Sequence, residues 1–275
     1  MQKTIKFLVL CIVVGTISRS VFAEENKIRF GVKGGVNAST TSVSLSEYAP
    51  EYYLQNSTEY KYNAGFNVGM LVEFPLTKTL SFQPELALSV KGMRNESYVI
   101  QNRPSTTGIE EWELHARSKI SSYYIELPLY LKFGFDLNRS GRFIAGAGPY
   151  FAYGASGKMK AEFVLSELQK HHWIGEKNIF KEDDINFNES TWVGGTSAAN
   201  NVESWVREPY WRKSLKRFDG GVSGFIGYEL HKKWFITASY DLGLINFLNS
   251  AEAWDGKVEG EMYNRTFSIS LGYKF

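Results

Sequence analysis

Cysteine is almost missing from this sequence. The 275 residues contain one, Cys11, and it lies within the first apolar run. Downstream of that run no thiol remains, so an oxidising compartment would add no disulfides to the fold. Histidine is scarce too, with four copies. No Gly-x-Ser-x-Gly elbow and no His-Glu-x-x-His pair occurs, which takes away two common hydrolase signatures. His171 and His172 are adjacent and would point apart on a strand; a helical turn bringing Glu167 beside His171 is the one way to two metal ligands, against the plainer reading of a solvated loop. His115 and His231 fall in separate connections. No catalytic residue, cofactor or metal is expected.

Long apolar runs are missing as well. After the first run no segment reaches the length of a membrane helix. There is no charge excess either: without Lys3, Lys6 and Arg19 the 31 basic residues become 28, against 29 acidic ones. That balance gives no argument for a nucleic-acid partner. The first run itself has the form of an export signal. Lys3 and Lys6 precede an apolar core over 7–17, and Val21-Phe22-Ala23 suits cleavage, so residues 1–23 are expected to be a signal peptide cut after Ala23. Leu10 before Cys11 is not the small residue that lipidation requires.

What the sequence has in quantity is alternation, together with aromatics and glycine. In the final stretch, 263–275, Phe267, Ile269, Leu271, Tyr273 and Phe275 alternate with Thr266, Ser268, Ser270, Gly272 and Lys274. A period of two sends these sets to opposite faces of a strand. Segments 28–37, 61–74, 80–93, 119–135, 142–155, 217–230 and 234–247 repeat the pattern. It is clearest where Ile125, Leu127, Leu129, Leu131, Phe133 and Phe135 alternate with Glu126, Pro128, Tyr130, Lys132 and Gly134. The connections alternate long and short: long at 38–60, 94–118, 156–216 and 248–262, short at 75–79, 136–141 and 231–233. A soluble sandwich shares the alternation but has no reason to gather every long connection at one end. The expectation is an all-β fold, an eight-stranded antiparallel up-and-down transmembrane β-barrel with long extracellular loops. It would span 24–275, with 156–216 as its longest loop and both ends on the periplasmic side. Pro84, Pro128 and Pro149 fall inside strands, where each removes a ladder donor, so a bulge or an unpaired carbonyl is expected at each.

The segments YIELPLYLKFGF (124–135), IAGAGPYFAYG (144–154) and NRTFSISLGYKF (264–275), with the opening IRFGVKGGVN (28–37), resemble the outer-membrane β-barrel proteins of Bacteroidetes known as porin-family or PorT-like. The resemblance covers the strands and none of the long loops. It implies an eight-stranded barrel in outer-membrane lipid. It also implies barrel-insertion machinery that reads a strand ending on an aromatic, here Phe275.

The inward face carries charge of both signs: Arg29, Lys33, Lys91, Lys132, Arg142 and Lys274 against Glu73, Glu85, Glu126, Asp219, Glu229 and Asp241. A barrel of eight strands is only wide enough for its side chains to fill it. Two readings follow, a salt-bridge network that closes the lumen or a narrow polar path for ions or water. Acid precedes base by six residues in both Glu85/Lys91 and Glu126/Lys132. On antiparallel neighbours this predicts pairs among those four, with Lys33 and Asp241 as further partners. In the third long connection Trp173, Trp192, Trp205 and Trp211 stand among charged residues. They suit a loop that packs on itself over the barrel mouth, or a recognition surface for an extracellular protein or glycan. A short amphipathic helix is expected at 161–170. Trp234, Tyr240, Tyr273, Phe275, Tyr123 and Tyr153 are expected anchors at the membrane interfaces. The function expected is a non-enzymatic outer-membrane barrel displaying loops for binding or adhesion. The alternatives are an accessory of an envelope secretion or assembly system and a narrow small-solute channel.

Overall fold

A computed structural model of the protein describes residues 27–45, 53–105, 108–137, 141–166, 171–180, 186–191, 215–248, 251–253, 256–258 and 260–275. Its strands are β1 (Arg29–Leu45), β2 (Tyr53–Pro75), β3 (Leu80–Ser105), β4 (Gly108–Asp136), β5 (Gly141–Ser166), β6 (His171–Asn178), β7 (Asn186–Thr191), β8 (Phe218–Leu230), β9 (Trp234–Gly243), β10 (Ala251–Ala253), β11 (Gly256–Val258) and β12 (Gly260–Lys274). Eight of them form a ring in the order β1, β2, β3, β4, β5, β8, β9, β12, with neighbours antiparallel. The ring closes where β1 pairs with β12 from Gly31↔Lys274 to Leu45↔Gly260. Closure leaves no strand edge to face lipid. This is the eight-stranded antiparallel barrel that the alternation foretold.

The two faces of each strand follow the sequence period. Phe66, Val68 and Met70 on β2, Ile125, Leu127, Leu131 and Phe133 on β4, and Phe267, Ile269 and Leu271 on β12 all point outward and are exposed. Between them Asn67, Glu126, Lys132, Ser268 and Ser270 are buried inside the ring. On β4 the apolar belt runs from Tyr123 to Phe135. At strand rise and a tilt of about 40° this is about 30 Å, the thickness of a hydrocarbon layer.

The prolines meet the expectation in part, with gaps in the ladder but without bulges. No register shift occurs at Pro84, Pro128 or Pro149; Pro84↔Leu129 and Ala87↔Glu126 keep one register, as do Pro128↔Tyr150 and Leu131↔Ala147. Each proline costs local ladder bonds, and the flanking pairs hold alignment across the gap. Register shifts lie elsewhere, among them one on the β2–β3 pair between Tyr62 and Asn67 and one on the β4–β5 pair at Tyr123/Tyr124.

Several stretches expected as loops are strand. Most of 94–118 is the β3–β4 hairpin, paired from Arg94↔Lys119 to Ser105↔Gly108. The connection 38–60 is strand over 38–45 and 53–60, and the connection 156–216 begins as a continuation of β5 to Ser166. The helix expected at 161–170 is therefore strand over 161–166. His171 and His172 lie on β6, paired with Leu165 and Val164, while the rest of the turn that would join His171 to Glu167 lies outside the described residues. His115 is in β4, packed edge-on to Tyr98 at 4.5 Å. At the other limit β9 stops at Gly243, short of Phe247, because Leu244 and Ile245 both turn to donate to Gly220 O.

Candidate functional site

The lumen is filled in layers. At the level of Lys132, two carboxylates meet three cations. Lys274 Nζ lies 2.7 Å from Glu73 and 2.6 Å from Glu229. Lys132 Nζ lies 2.9 and 3.3 Å from the same two acids, and Arg29 lies 3.0 and 3.3 Å from them. Ser81 adds a hydrogen bond to Glu73 at 3.1 Å. Lys132, Lys274, Glu73 and Glu229 have at most 1 % of their surface exposed. Ions this deep are tolerated only when paired and hydrogen-bonded.

Above this layer Lys33 pairs with Glu85, which also accepts from Gln83 Nε2 at 2.8 Å. Tyr130, packed edge-on to Phe225 at 4.9 Å, crosses the lumen beside them. The space left here is about 10 Å³, bounded by Lys33, Glu85, Tyr130, Phe225 and Phe235. That is room for about one water.

A second charged layer has the opposite balance. Lys91 Nζ lies 2.6 Å from Glu126 and 3.2 Å from Asp241, over the Tyr150 ring at 4.7 Å. Ser223 donates to Asp241 at 2.6 Å, so its 2.7 Å contact with Tyr130 must have the tyrosine as donor. Asp219 is fully buried and held by hydrogen bonds: from Asn264 at 2.9 Å, from Gly220 N at 2.8 Å and from Tyr150 at 3.3 Å. The layer thus holds one cation to three acids, two of them paired with it.

Of the four residues expected to pair among themselves, Lys91 and Glu126 do. Lys132 does not meet Glu85, because the register Lys132↔Ser81 places it beside Glu73 instead. Lys33 and Asp241 enter as partners of Glu85 and Lys91. Arg142 stands apart, donating to Lys78 O at 2.7 Å and Gly134 O at 3.1 Å, with Asp136 3.6 Å from its Nε.

Two features go beyond the sequence reading, the first a cap over the mouth expected from the tryptophans of 156–216 and not from these residues, the second unexpected. The first is an apolar lid inside the long-connection mouth. Ile179 and Phe180, just past β6, pack on Tyr124, Tyr150, Met159 and Leu215. Phe247 and Leu215 pack on Met93 and Met262. The backbone ties these together: Leu215 N donates to Ile179 O at 2.7 Å, Lys216 N to Phe247 O at 2.8 Å and Phe247 N to Met262 O at 3.2 Å. Gly154 makes room, since a Cβ there would stand 2.3 Å from the Phe180 ring. The apolar pair Ile179-Phe180 within a polar connection was the available signal. The second is a basic chamber at the short-turn mouth, signalled by Lys78, Lys232 and Lys233 in two short turns. Trp173 lies on β6, whereas Trp192, Trp205, Trp211, Glu167 and the expected signal 1–23 are outside the described residues. Among the described residues no group of three His, Cys, Asp or Glu side chains is placed to hold a metal ion.

Residues 18–249 match the family model described as outer membrane protein beta-barrel domain. The chain belongs to this family. It is an outer-membrane β-barrel, and its apolar belt is a lipid-facing surface. No curated protein sequence matches it. Similar solved barrels include OprG from Pseudomonas aeruginosa, 11 % identical, covering 91 % of this chain and 97 % of that one with a TM-score of 0.45. Ail of Yersinia pestis, in complex with the heparin analogue sucrose octasulfate, is 14 % identical over 90 % of this chain and 99 % of that one, TM-score 0.35. Neisserial surface protein A is 10 % identical over 89 % and 95 %, TM-score 0.31. These likenesses carry no argument about what the present barrel binds.

Proposed function

We propose that the protein is a non-enzymatic outer-membrane anchor that displays strand extensions and loops to an extracellular protein or glycan. The observation that supports this is the length of the strands beyond the belt. β3, β4 and β5 have 26, 29 and 26 residues, while the apolar belt on β4 ends at Tyr123. The 15 residues of β4 before it, 108–122, extend about 50 Å along the strand. Their outward side chains Arg117 and Lys119 are exposed and charged, suited to water. A sheet carried this far from the membrane supports display, and a lumen crowded with ion pairs beneath an apolar lid weighs against transport. Trp173, Trp192, Trp205 and Trp211 are proposed recognition residues, Phe275 a proposed signal to the insertion machinery, and 1–23 a proposed cleaved leader.

The likeness of 124–135, 144–154 and 264–275 to PorT-like barrels of Bacteroidetes favours a second reading, an accessory of an envelope secretion or assembly system. Crosslinked pull-downs from intact outer membranes separate the two. The full chain is compared with one variant in which 96–117 is replaced by Asn-Gly and another in which 167–214 is replaced by a short Gly-Ser link. On the display reading one or both lose the captured partner while keeping the fast unheated gel mobility of a folded barrel. Envelope proteins captured equally by all three chains would sink display and favour the accessory role.

A further inference from the structure

The mouth that carries the short turns opens into a chamber of about 550 Å³. A barrel with its short turns at one end places that end in the periplasm. The chamber wall is basic. Arg29 and Lys274 lie at its floor, Arg142 at its side, and Lys78, Lys232 and Lys233 at its rim, while Asp136 is the one acidic side chain among the described lining residues. The floor is not neutralised from below. Arg29, Lys132 and Lys274 share only Glu73 and Glu229, three cations to two carboxylates.

Two further observations distinguish this chamber from a scatter of surface lysines. Arg142 is only 8 % exposed, and although its Nη2 is satisfied by two backbone carbonyls, its Nε has no hydrogen-bond acceptor, only the long ion-pair contact with Asp136 at 3.6 Å. A buried charged donor with capacity left over is costly unless something accepts from the group. The turn between β8 and β9 is strained in a way that serves the rim. His231 and Lys232 have φ of 51° and 57°, and Lys233 N closes the turn onto Leu230 O at 3.0 Å. A two-residue turn with both centres at positive φ is filled without strain by Asn-Gly. This one holds His-Lys, and Lys233 O accepts from Lys274 N at 2.8 Å, so the backbone that carries the two lysines is anchored to the final strand. Strain of this kind persists where the surroundings over-determine it and clusters at ligand sites.

We propose that this chamber binds a small soluble polyanion from the periplasm, a molecule bearing two or more phosphate or carboxylate groups. Its volume lies in the range of small-ligand pockets, and several separated cations favour a ligand with more than one anionic group. The site is independent of the extracellular display role.

Calorimetry on the folded protein in phosphatidylcholine nanodiscs tests it, with inorganic pyrophosphate and citrate as probes. At least one probe should bind saturably at low salt and weaken steeply as salt rises. The Lys78→Gln/Lys232→Gln/Lys233→Gln variant should bind about tenfold more weakly. Lys158→Gln/Lys160→Gln, at the opposite end, should bind as the unmodified protein does. Unheated gel mobility confirms that each variant is folded. If the triple variant fails that check, Lys78→Gln alone should weaken binding roughly twofold to fivefold. The proposal is overturned by an absence of saturable binding of either probe, or by unchanged affinity in the rim variants. Equal loss in the distal variant also overturns it, as does binding that appears only when phosphatidylglycerol is added to the disc, which would mark a lipid headgroup site.

Discussion

Lys91 is the hinge of the acid-rich layer: fully buried, it divides its ammonium between Glu126 and Asp241. The two acids do not depend on it equally, since Asp241 also accepts from Ser223. Lys91→Met takes the cation from both at once and leaves uncompensated buried charge, which costs about 3–5 kcal/mol. Glu126→Gln leaves Lys91 with Asp241 and should cost less, about 1–3 kcal/mol. Denaturant unfolding in lipid vesicles should rank the variants in that order. A Glu126→Gln variant as damaged as Lys91→Met would mean that Asp241 does not hold the lysine. Glycine matters at the same scale. A Cβ on Gly272 would stand 2.0 Å from the Phe235 ring, so the final strand accommodates a luminal aromatic only because that position is bare.

At the scale of the element, the last strand offers the sharpest test. Phe275 N donates to Phe30 O at 2.8 Å, its ring packs edge-on to Tyr273 at 5.4 Å, and most of it faces outward at the rim of the belt. An acid at the membrane interface costs a finished barrel only about 0–1 kcal/mol. Phe275→Asp should therefore leave unfolding of the refolded protein nearly unchanged while lowering its amount in outer membranes. Equal loss in both measurements would make Phe275 a packing residue rather than a signal. The strands themselves were legible wherever one face meets lipid and the other the lumen, because only there does hydrophobicity alternate. Beyond the belt the exposed positions carry Arg94, Arg117 and Lys119 in place of apolar side chains, so the alternation ends and these stretches read as loop although their backbone stays paired. In β5 a second cause adds to this. The bulge beside Ala155 slips the phase, so that buried positions change from Ala152 and Gly154 to Gly157, Met159 and Ala161. A fixed period of two breaks at that residue. The inward charges were legible one by one; which acid each cation meets was not, because that depends on inter-strand register and on contacts across the ring.

For the molecule as a whole, the decisive property is whether anything passes through it. Several obstacles stand in series. Phe180, Leu215 and Phe247 form the lid, Lys91 with its acids lies below, Tyr130 and Phe225 cross the middle, and the Glu73, Lys132, Glu229, Lys274 cluster lies nearest the basic chamber. The lid is built from loop side chains and the lower cluster from strand side chains, so they can be removed separately. Phe180→Ala/Leu215→Ala/Phe247→Ala should loosen the mouth and lower stability by several kcal/mol, as large-to-small changes at buried apolar sites do. It should still give no steady current in planar bilayers, because the Tyr130 crossing and the lower ion cluster remain and leave room for about one water. Adding Tyr130→Ala and Lys132→Ala removes the crossing and a cation of that cluster together, and brief openings should first appear in the combined variant. If the lid variant alone conducts, with unmodified protein silent, then the ion-paired layers are a passable path and the loops are its gate. The protein would then be a closed channel, and display would be secondary.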